Sequence, residues 1–292
     1  MKMIEDERME SGTLYLVATP IGNLEDITFR ALKVLNEVQL IAAEDTRHTL
    51  KLLNHFKIKN KLISYYKHNE EERSNYLLDK IKSGINIALV SDAGMPGISD
   101  PGNILVNKAI ANDVKVIPIP GASALTTALA ASGLDTSYFI FKGFLPRKQA
   151  LARAILEELS EFTGTIVLYE SPYRIVKTLE MIYEVLGNRK IVLARELTKV
   201  HEEFIRGELE EIIKTIEKVK IVGEFTLLIE GSSKNETKQQ KSTNVEFERM
   251  FEGINSTGSS LKEELRIIAK KTGKSLKEIY RSYLKYKEKK EE

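Results

Sequence analysis

A chain of 292 residues, 42% apolar and 29% charged, has ample material for a buried core and no compositional sign of wholesale disorder. It contains no cysteine, which excludes disulfides and thiolate metal sites, and no run approaching the ~18 consecutive apolar residues of a membrane span. The formal net charge of +2 is uneven: eleven Lys and Arg stand against six acids from Ser259 to Glu292, so that stretch carries +5 and the remainder −3.

At roughly 150 residues per domain, about two domains are expected. The opening MKMIEDERMESG is acidic and lacks the apolar core of a signal peptide, so a cytoplasmic protein is expected. Thr13–Thr19, Val38–Ala43, Leu62–Tyr66, Ile87–Ser91 and Val114–Ile119 read as strands, with helices between them, the first near Ile27 to Asn36. These runs are apolar almost throughout rather than alternating, the pattern of a parallel sheet covered on both faces. The expectation is an open α/β layer over 12–119.

After Gly133 the rhythm changes. Tyr138–Phe144, Thr165–Ser171, Lys190–Leu197, Glu202–Leu209 and Glu224–Gly231 read as strands, separated by about three helices near 148–161, 172–186 and 209–218. The step from KIVLAREL to EEFIRGEL is short enough for a hairpin, so a mixed sheet is expected over 120–231. Residues 232–258 are mostly polar and read as a linker. Beyond it, 259–292 carries a helix from about Leu261 to Lys271, a turn at Thr272-Gly273 and a basic helix from about Ser275, with Leu276, Ile279, Tyr283 and Leu284 toward one face. This helix-turn-helix outline either reaches nucleic acid or docks on the body.

In an open α/β sheet, ligands sit where loops leave the carboxyl ends of the strands. Those ends carry TPIGNLED, AEDTRHT, KHNEEE, SDAGMPGISDPG and PGAS. A phosphate-binding loop would need a lysine followed by Ser or Thr before its helix. SDAGMPGISDPG instead holds two acids, Asp92 and Asp100, which would repel a polyanion. A neutral or cationic ligand fits better.

The four histidines, His48, His55, His68 and His201, show no metal-ligand spacing, so no metal is expected. Asp45 or Thr46 can cap the helix after the second strand, which leaves Arg47 and His48 unexplained. Ser171 as N-cap with Pro172 at the first helical position accounts for part of YESPYR but not for Glu170 or Arg174. Lys142, Arg147, Lys148, Arg174, Arg195 and Lys199 gather near the presumed cleft, with Phe144 and Tyr173 placed to stack a base.

LYLVATPIGNLEDITFRALKVL, LIAAEDTRHT, NIALVSDAGMPGISDPG, PIPGASA, GFLPRK, YESPYR and ARELTKVHEE resemble, in order and spacing, the ribosomal RNA small subunit methyltransferase I family, the RNA branch of the tetrapyrrole methylase superfamily. The resemblance spans roughly Thr13 to Gly231. It implies two α/β domains with S-adenosylmethionine in the cleft between them, a homodimer, and methylation of the ribose 2′-hydroxyl of a cytidine in the decoding region of small-subunit RNA, free or in the assembled 30S particle. By similarity, Pro20, Asp92, Ala93, Gly94, Ile98, Ser123, Glu170 and Leu197 are cofactor candidates. Tyr173 stands where many members have histidine, which counts against an imidazole mechanism there.

Glu44, Asp45 or Glu170 could take the proton of the hydroxyl. Arg47, His48, Lys142, Arg147, Lys148, Arg174 and Lys199 are the candidates for RNA contact. Two other readings share the pocket: a C-methyltransferase acting on a tetrapyrrole such as a corrin precursor, and a non-catalytic RNA-binding or ribosome-assembly protein.

Overall fold

The computed structural model describes residues 11–216, 222–233, 250–251, 261–272 and 275–291. The chain divides into two compact units, Met1–Gly231 and Ser232–Glu292. Most of the expected linker, the residue pair 217–218 at the end of one expected helix, and Gly273 of the expected turn lie outside the described residues.

In the first half of the larger unit, β1 (Thr13–Val17), α1 (Phe29–Glu37), β2 (Leu40–Ala43), α2 (Thr46–His55), β3 (Leu62–Ser64), α3 (Glu70–Lys82), β4 (Ile87–Val90), α4 (Asn103–Ile110) and β5 (Lys115–Ile119) alternate. The strands pair all in parallel in the order β3-β2-β4-β1-β5. Successive side chains of a strand leave opposite faces, and both faces here are apolar. Ile41, Ala43, Ala88 and Val90 pack with Leu35 of α1 and Leu53 of α2. Ala42, Ile87 and Leu89 pack with Leu77 and Ile81 of α3 and Leu105 of α4. Hence the strands read as unbroken apolar runs, each buried Leu or Ile contributing about 1.5–3 kcal/mol.

The second half comprises α5 (Ala124–Ser132), β6 (Phe139–Phe144), α6 (Gln149–Glu158), β7 (Thr165–Glu170), α7 (Ile175–Leu186), β8 (Lys190–Arg195), β9 (Glu203–Glu208), α8 (Leu209–Ile216) and β10 (Phe225–Ile229). Its sheet, β6-β7-β10-β8-β9, is mixed: β6 and β7 are parallel, the other pairs antiparallel, and β8 and β9 form the expected hairpin. Ile166, Leu168, Leu193 and Leu227 face α6, α7 and α8. Val167, Val192 and Leu228 face the opposite way, onto α5 and onto Ile21 from the loop after β1. A loop of the first half thus helps cover the sheet of the second.

Helix α7 begins three residues later than the Ser171-Pro172 pattern suggests. The amides of Arg174 and Ile175 both donate to the Ser171 carbonyl at 3.1 Å, while the Ser171 hydroxyl leans toward Glu170 at 3.4 Å instead of capping. Pro172 therefore sits in a turn.

The smaller unit contains α9 (Leu261–Thr272) and α10 (Leu276–Glu291). Leu265, Ile268, Ile279 and Tyr283 bury one another together with Phe251, which stacks edge-on against Tyr283 at 5.5 Å. Phe251, with Met250 beside it, falls within the stretch expected as a linker. Ser275 and Glu278 bond reciprocally, side chain to backbone amide, at 3.3 and 2.8 Å, a capping box that starts α10. Leu284 is 43% exposed, off the packed face on which it was expected.

Candidate active site

β1 and β4 are neighbours whose chains depart to opposite faces: α1 packs on one side of the sheet and α4 on the other. A crevice opens at such a switch point. Across it the Thr19 amide donates to the Gly94 carbonyl at 2.9 Å and the Gly94 amide to the Thr19 carbonyl at 3.0 Å. Gly94 has φ +79°, and a Cβ there would lie 3.4 Å from Ile21 Cγ2 and 3.7 Å from the Ala122 carbonyl oxygen. Glycine takes that conformation without steric cost and keeps the backbone open. Pro20, Ala93, Gly94 and Ser123 are therefore brought to one place, Pro20 and Ser123 through their neighbours Ile21 and Ala122. Leu197 joins from the second half, packing in the same apolar cluster as Ile21 and Ala122. Ile98 is 62% exposed on the outer part of the β4 loop, whose next residue, Ser99, would lie 3.4 Å from a Cβ at Gly143.

Carboxylates line this rim. Asp92 Oδ1 accepts the Asp45 amide at 3.0 Å, and Glu44 Oε2 accepts the Asp92 amide at 3.4 Å. Burial, then the charge of Asp100, pushes the Glu44 carboxyl above its ordinary range, with Asp92 and Asp45 adding and the Asp92 amide opposing. Asp100 is raised for the same reasons, burial first and then Asp92. Asp45 behaves oppositely. It caps α2 through the Arg47 amide at 2.8 Å and grips the Arg47 guanidinium at 2.7 and 3.0 Å, which holds its carboxyl well below the usual range.

Glu170 is only 2% exposed and turns to the other face of its strand. Its oxygens accept the Ser171 amide at 2.8 Å and the Thr178 hydroxyl at 2.7 Å, with Arg174 3.4 Å away. Arg174 also donates to the Leu145 carbonyl at 3.0 Å. Both belong to the packing of α7 against β7. Alternation along β7 places Tyr169, not Glu170, toward α5, on the face that also receives Ile21. The Leu125 amide donates to Tyr169 Oη at 3.1 Å, and burial, with Asp100 adding, pushes its phenol up against the pull of that amide.

Of the cations expected to meet RNA, Lys142, Arg147, Lys148 and His48 are exposed. Arg47 keeps an 88% exposed side chain while paired to Asp45. Lys199 is committed to Glu196 at 2.8 Å and Glu224 at 3.2 Å; Arg195 donates to the Val222 carbonyl at 2.9 Å. Phe144 and Tyr173 are 56% and 94% exposed. Among the described residues, no group of three or more His, Asp or Glu could hold a metal ion, and no helix is long and apolar enough to cross a membrane.

Residues 13–213 match the model of the Tetrapyrrole (Corrin/Porphyrin) Methylases. The chain belongs to that family. Within it, the chain is 49% identical over 278 residues, 95% of its length and 96% of the relative's, to Ribosomal RNA small subunit methyltransferase I of Halalkalibacterium halodurans. It is 43% identical to the protein of the same name in Bacillus subtilis, over 94% of this chain and 95% of that one. Among solved structures, uroporphyrin-III C-methyltransferase of Thermus thermophilus, complexed with S-adenosyl homocysteine, aligns with a TM-score of 0.52 at 20% identity, over 75% of this chain and 97% of that one, a likeness of fold. The chain is a methyltransferase whose methyl donor is S-adenosylmethionine. The acid-lined, glycine-open rim suits such a donor, which is cationic at sulfur and carries no phosphate.

The sequence marks Asp100, with Asp92, as an acid that disfavours a polyanion, but it does not draw the eye to Tyr169 or Thr198. Strand alternation singles out Tyr169 once the buried face is known. Thr198 gives no sequence signal, because its importance lies in a backbone angle.

Proposed function

We propose that this methyltransferase modifies the ribose 2′-hydroxyl of a cytidine in the decoding region of small-subunit ribosomal RNA. The observation that supports this most is the identity of 43–49%, across nearly the whole chain, to proteins named for small-subunit ribosomal RNA. The donor, when bound, supplies an electrophilic methyl carbon. Pro20, Asp92, Ala93, Gly94, Ser123 and Leu197 hold it, with Ile98 at the outer edge. The acids favour its positive charge, and the open backbone at Gly94 admits it closely. Holding the hydroxyl oxygen in line with that carbon in a dry crevice provides much of the acceleration.

Glu44 is the proton acceptor in this reading. Asp45 is tied to Arg47 and held too acidic to take a proton from an alcohol, and Glu170 is buried among Ser171, Thr178 and Arg174. Glu44 is half-buried with a raised affinity for protons, the environment that makes a carboxylate a better base. Lys142, Arg147, Lys148, Arg47 and His48 position the RNA backbone, and Phe144 and Tyr173 offer faces on which bases stack. The working form is a homodimer in the cytoplasm, acting on the RNA or the assembled 30S particle.

Labelled S-adenosylmethionine is incubated with the protein and, separately, with small subunits, naked RNA and tetrapyrroles, and the products are digested. Label in 2′-O-methylcytidine supports the proposal. Label in a tetrapyrrole, or none, overturns it.

A further inference from the structure

Between β8 and β9, the residues flanking Leu197 both have left-handed backbones: Glu196 at φ +50° and Thr198 at φ +66°. For a β-branched residue this is a true outlier, so the threonine side chain must return something that Gly or Asn would not. The loop around it is tightly built. The Thr198 amide donates to Glu202 Oε2 at 2.7 Å, the Glu196 and Glu224 backbones bond at 3.1 Å, and Lys199 bridges Glu196 to Glu224. What the loop offers outward is the Thr198 hydroxyl, whose Oγ1 accepts the Asn23 amide at 3.0 Å, 175 positions away in the chain.

The approach is close. A Cβ at Gly22 would stand 2.6 Å from Lys199 Cγ, 2.8 Å from Thr198 Oγ1 and 3.0 Å from the Leu197 carbonyl. On the other side, Asn23 Oδ1 accepts the Glu25 amide at 3.0 Å, fixing the start of the short 3-10 helix Leu24–Asp26. One hydrogen bond therefore joins two stiff loops. The first carries Pro20 and Ile21, the second Leu197.

We propose that Thr198 is a positioning residue for the methyl donor: its hydroxyl latches the loop after β1 to the loop after β8 and so fixes the spacing between the two walls of the crevice. This rests on the reading that the crevice holds the donor. Strain retained at one residue is repaid by preorganising both walls before the ligand arrives.

The test measures S-adenosylmethionine affinity by calorimetry, Tm, and kcat and KM on the full chain carrying Thr198→Val, Thr198→Gly or Thr198→Ser. Valine keeps the shape and the strain but loses the hydroxyl, and affinity is expected to fall about fivefold to tenfold, as when one hydrogen bond is removed. Glycine removes the strain, so Thr198→Gly is expected to match or exceed the wild-type Tm while losing the same affinity. Serine restores affinity to within about twofold. Gly22→Ala, which pushes the two loops apart, is expected to reproduce the valine result. A merely structural role predicts that affinity follows Tm across the series, and that outcome overturns the latch. Gly94→Val controls for the crevice. Loss of binding there but not in the Thr198 variants overturns the latch alone; no loss in either overturns both readings.

Discussion

Two patches of the larger unit carry opposite charges, one at the rim of the parallel sheet and one on β6 and the segment after it. At the rim of the parallel sheet, Glu44, Asp92 and Asp100 stand together, and Glu44 and Asp100 resist ionisation through burial and through neighbouring acids. On the mixed-sheet half, Lys142, Arg147 and Lys148 form an exposed basic patch near the exposed rings of Phe144 and Tyr173. A single uniformly charged pocket could not serve a cationic donor and a polyanionic acceptor, because whatever attracts one repels the other. Separating an acidic patch from a basic one lets each partner meet its own field, with the reacting atoms brought together between them.

The strongest way to break this comparison is to neutralise the acid proposed to take the proton. Glu44→Gln is expected to lower kcat by about 10²–10⁴, the usual contribution of a general base, while S-adenosylmethionine still binds. In the wild type, kcat/KM should rise with pH along an acidic limb whose midpoint lies above the ordinary glutamate value of 4.5. Asp100→Asn removes one of the charges that raise Glu44 and should move that limb to lower pH. An unchanged pH profile in Glu44→Gln would assign the limb elsewhere.

Next in size, Gly94→Val places a branched side chain on a left-handed backbone beside Ile21 and the Ala122 carbonyl, and calorimetry should show donor affinity reduced by about 10²-fold. On the other half, replacing Lys142, Arg147 and Lys148 together with Gln should weaken RNA binding roughly tenfold at low salt and flatten the salt dependence, by a slope of about 0.7–0.9 for each phosphate that is no longer neutralised. Donor affinity should be untouched. Equal losses of donor and RNA in both sets of variants would erase the division of labour.

Much of this was legible in the sequence, for identifiable reasons. Both faces of β2 and β4 are buried, so unbroken runs such as IALV announced a parallel sheet, and the short link between β8 and β9 announced a hairpin. Asp45 or Thr46 is expected to cap a helix, and Asp45 does so. Glu170 and Tyr169 could not be told apart by motif, since only the sheet's packing decides which of two adjacent residues faces α7 and which faces α5. Lys199 looked like a cation available for RNA because its partner Glu224 is 25 positions away. Phe251 escapes notice because the stretch around it is polar on average although Met250 adjoins it, and Thr198 is hidden by an angle that no composition encodes.

The smallest effect expected is on stability. A carboxyl that ionises less readily in the folded chain than in the unfolded one keeps its proton to higher pH in the folded state, so folding takes up protons in the window between the two values. Glu44 and Asp100 are both raised. Their combined contribution to stability is therefore present below the unfolded-state values and is lost as pH rises through the folded-state ones, the reverse of a salt-bridged acid such as Asp45, whose contribution disappears as pH falls. Thermal unfolding followed across the acidic range should show a component of Tm that declines with rising pH in the wild type and is absent in the Glu44→Gln, Asp100→Asn double variant. A bound cationic donor should suppress that decline by stabilising the ionised acids, whereas RNA, met by cations rather than by these acids, should not. If RNA suppresses it as well as the donor does, the acidic and basic patches share one electrostatic field, and their separation is not what orders the two substrates.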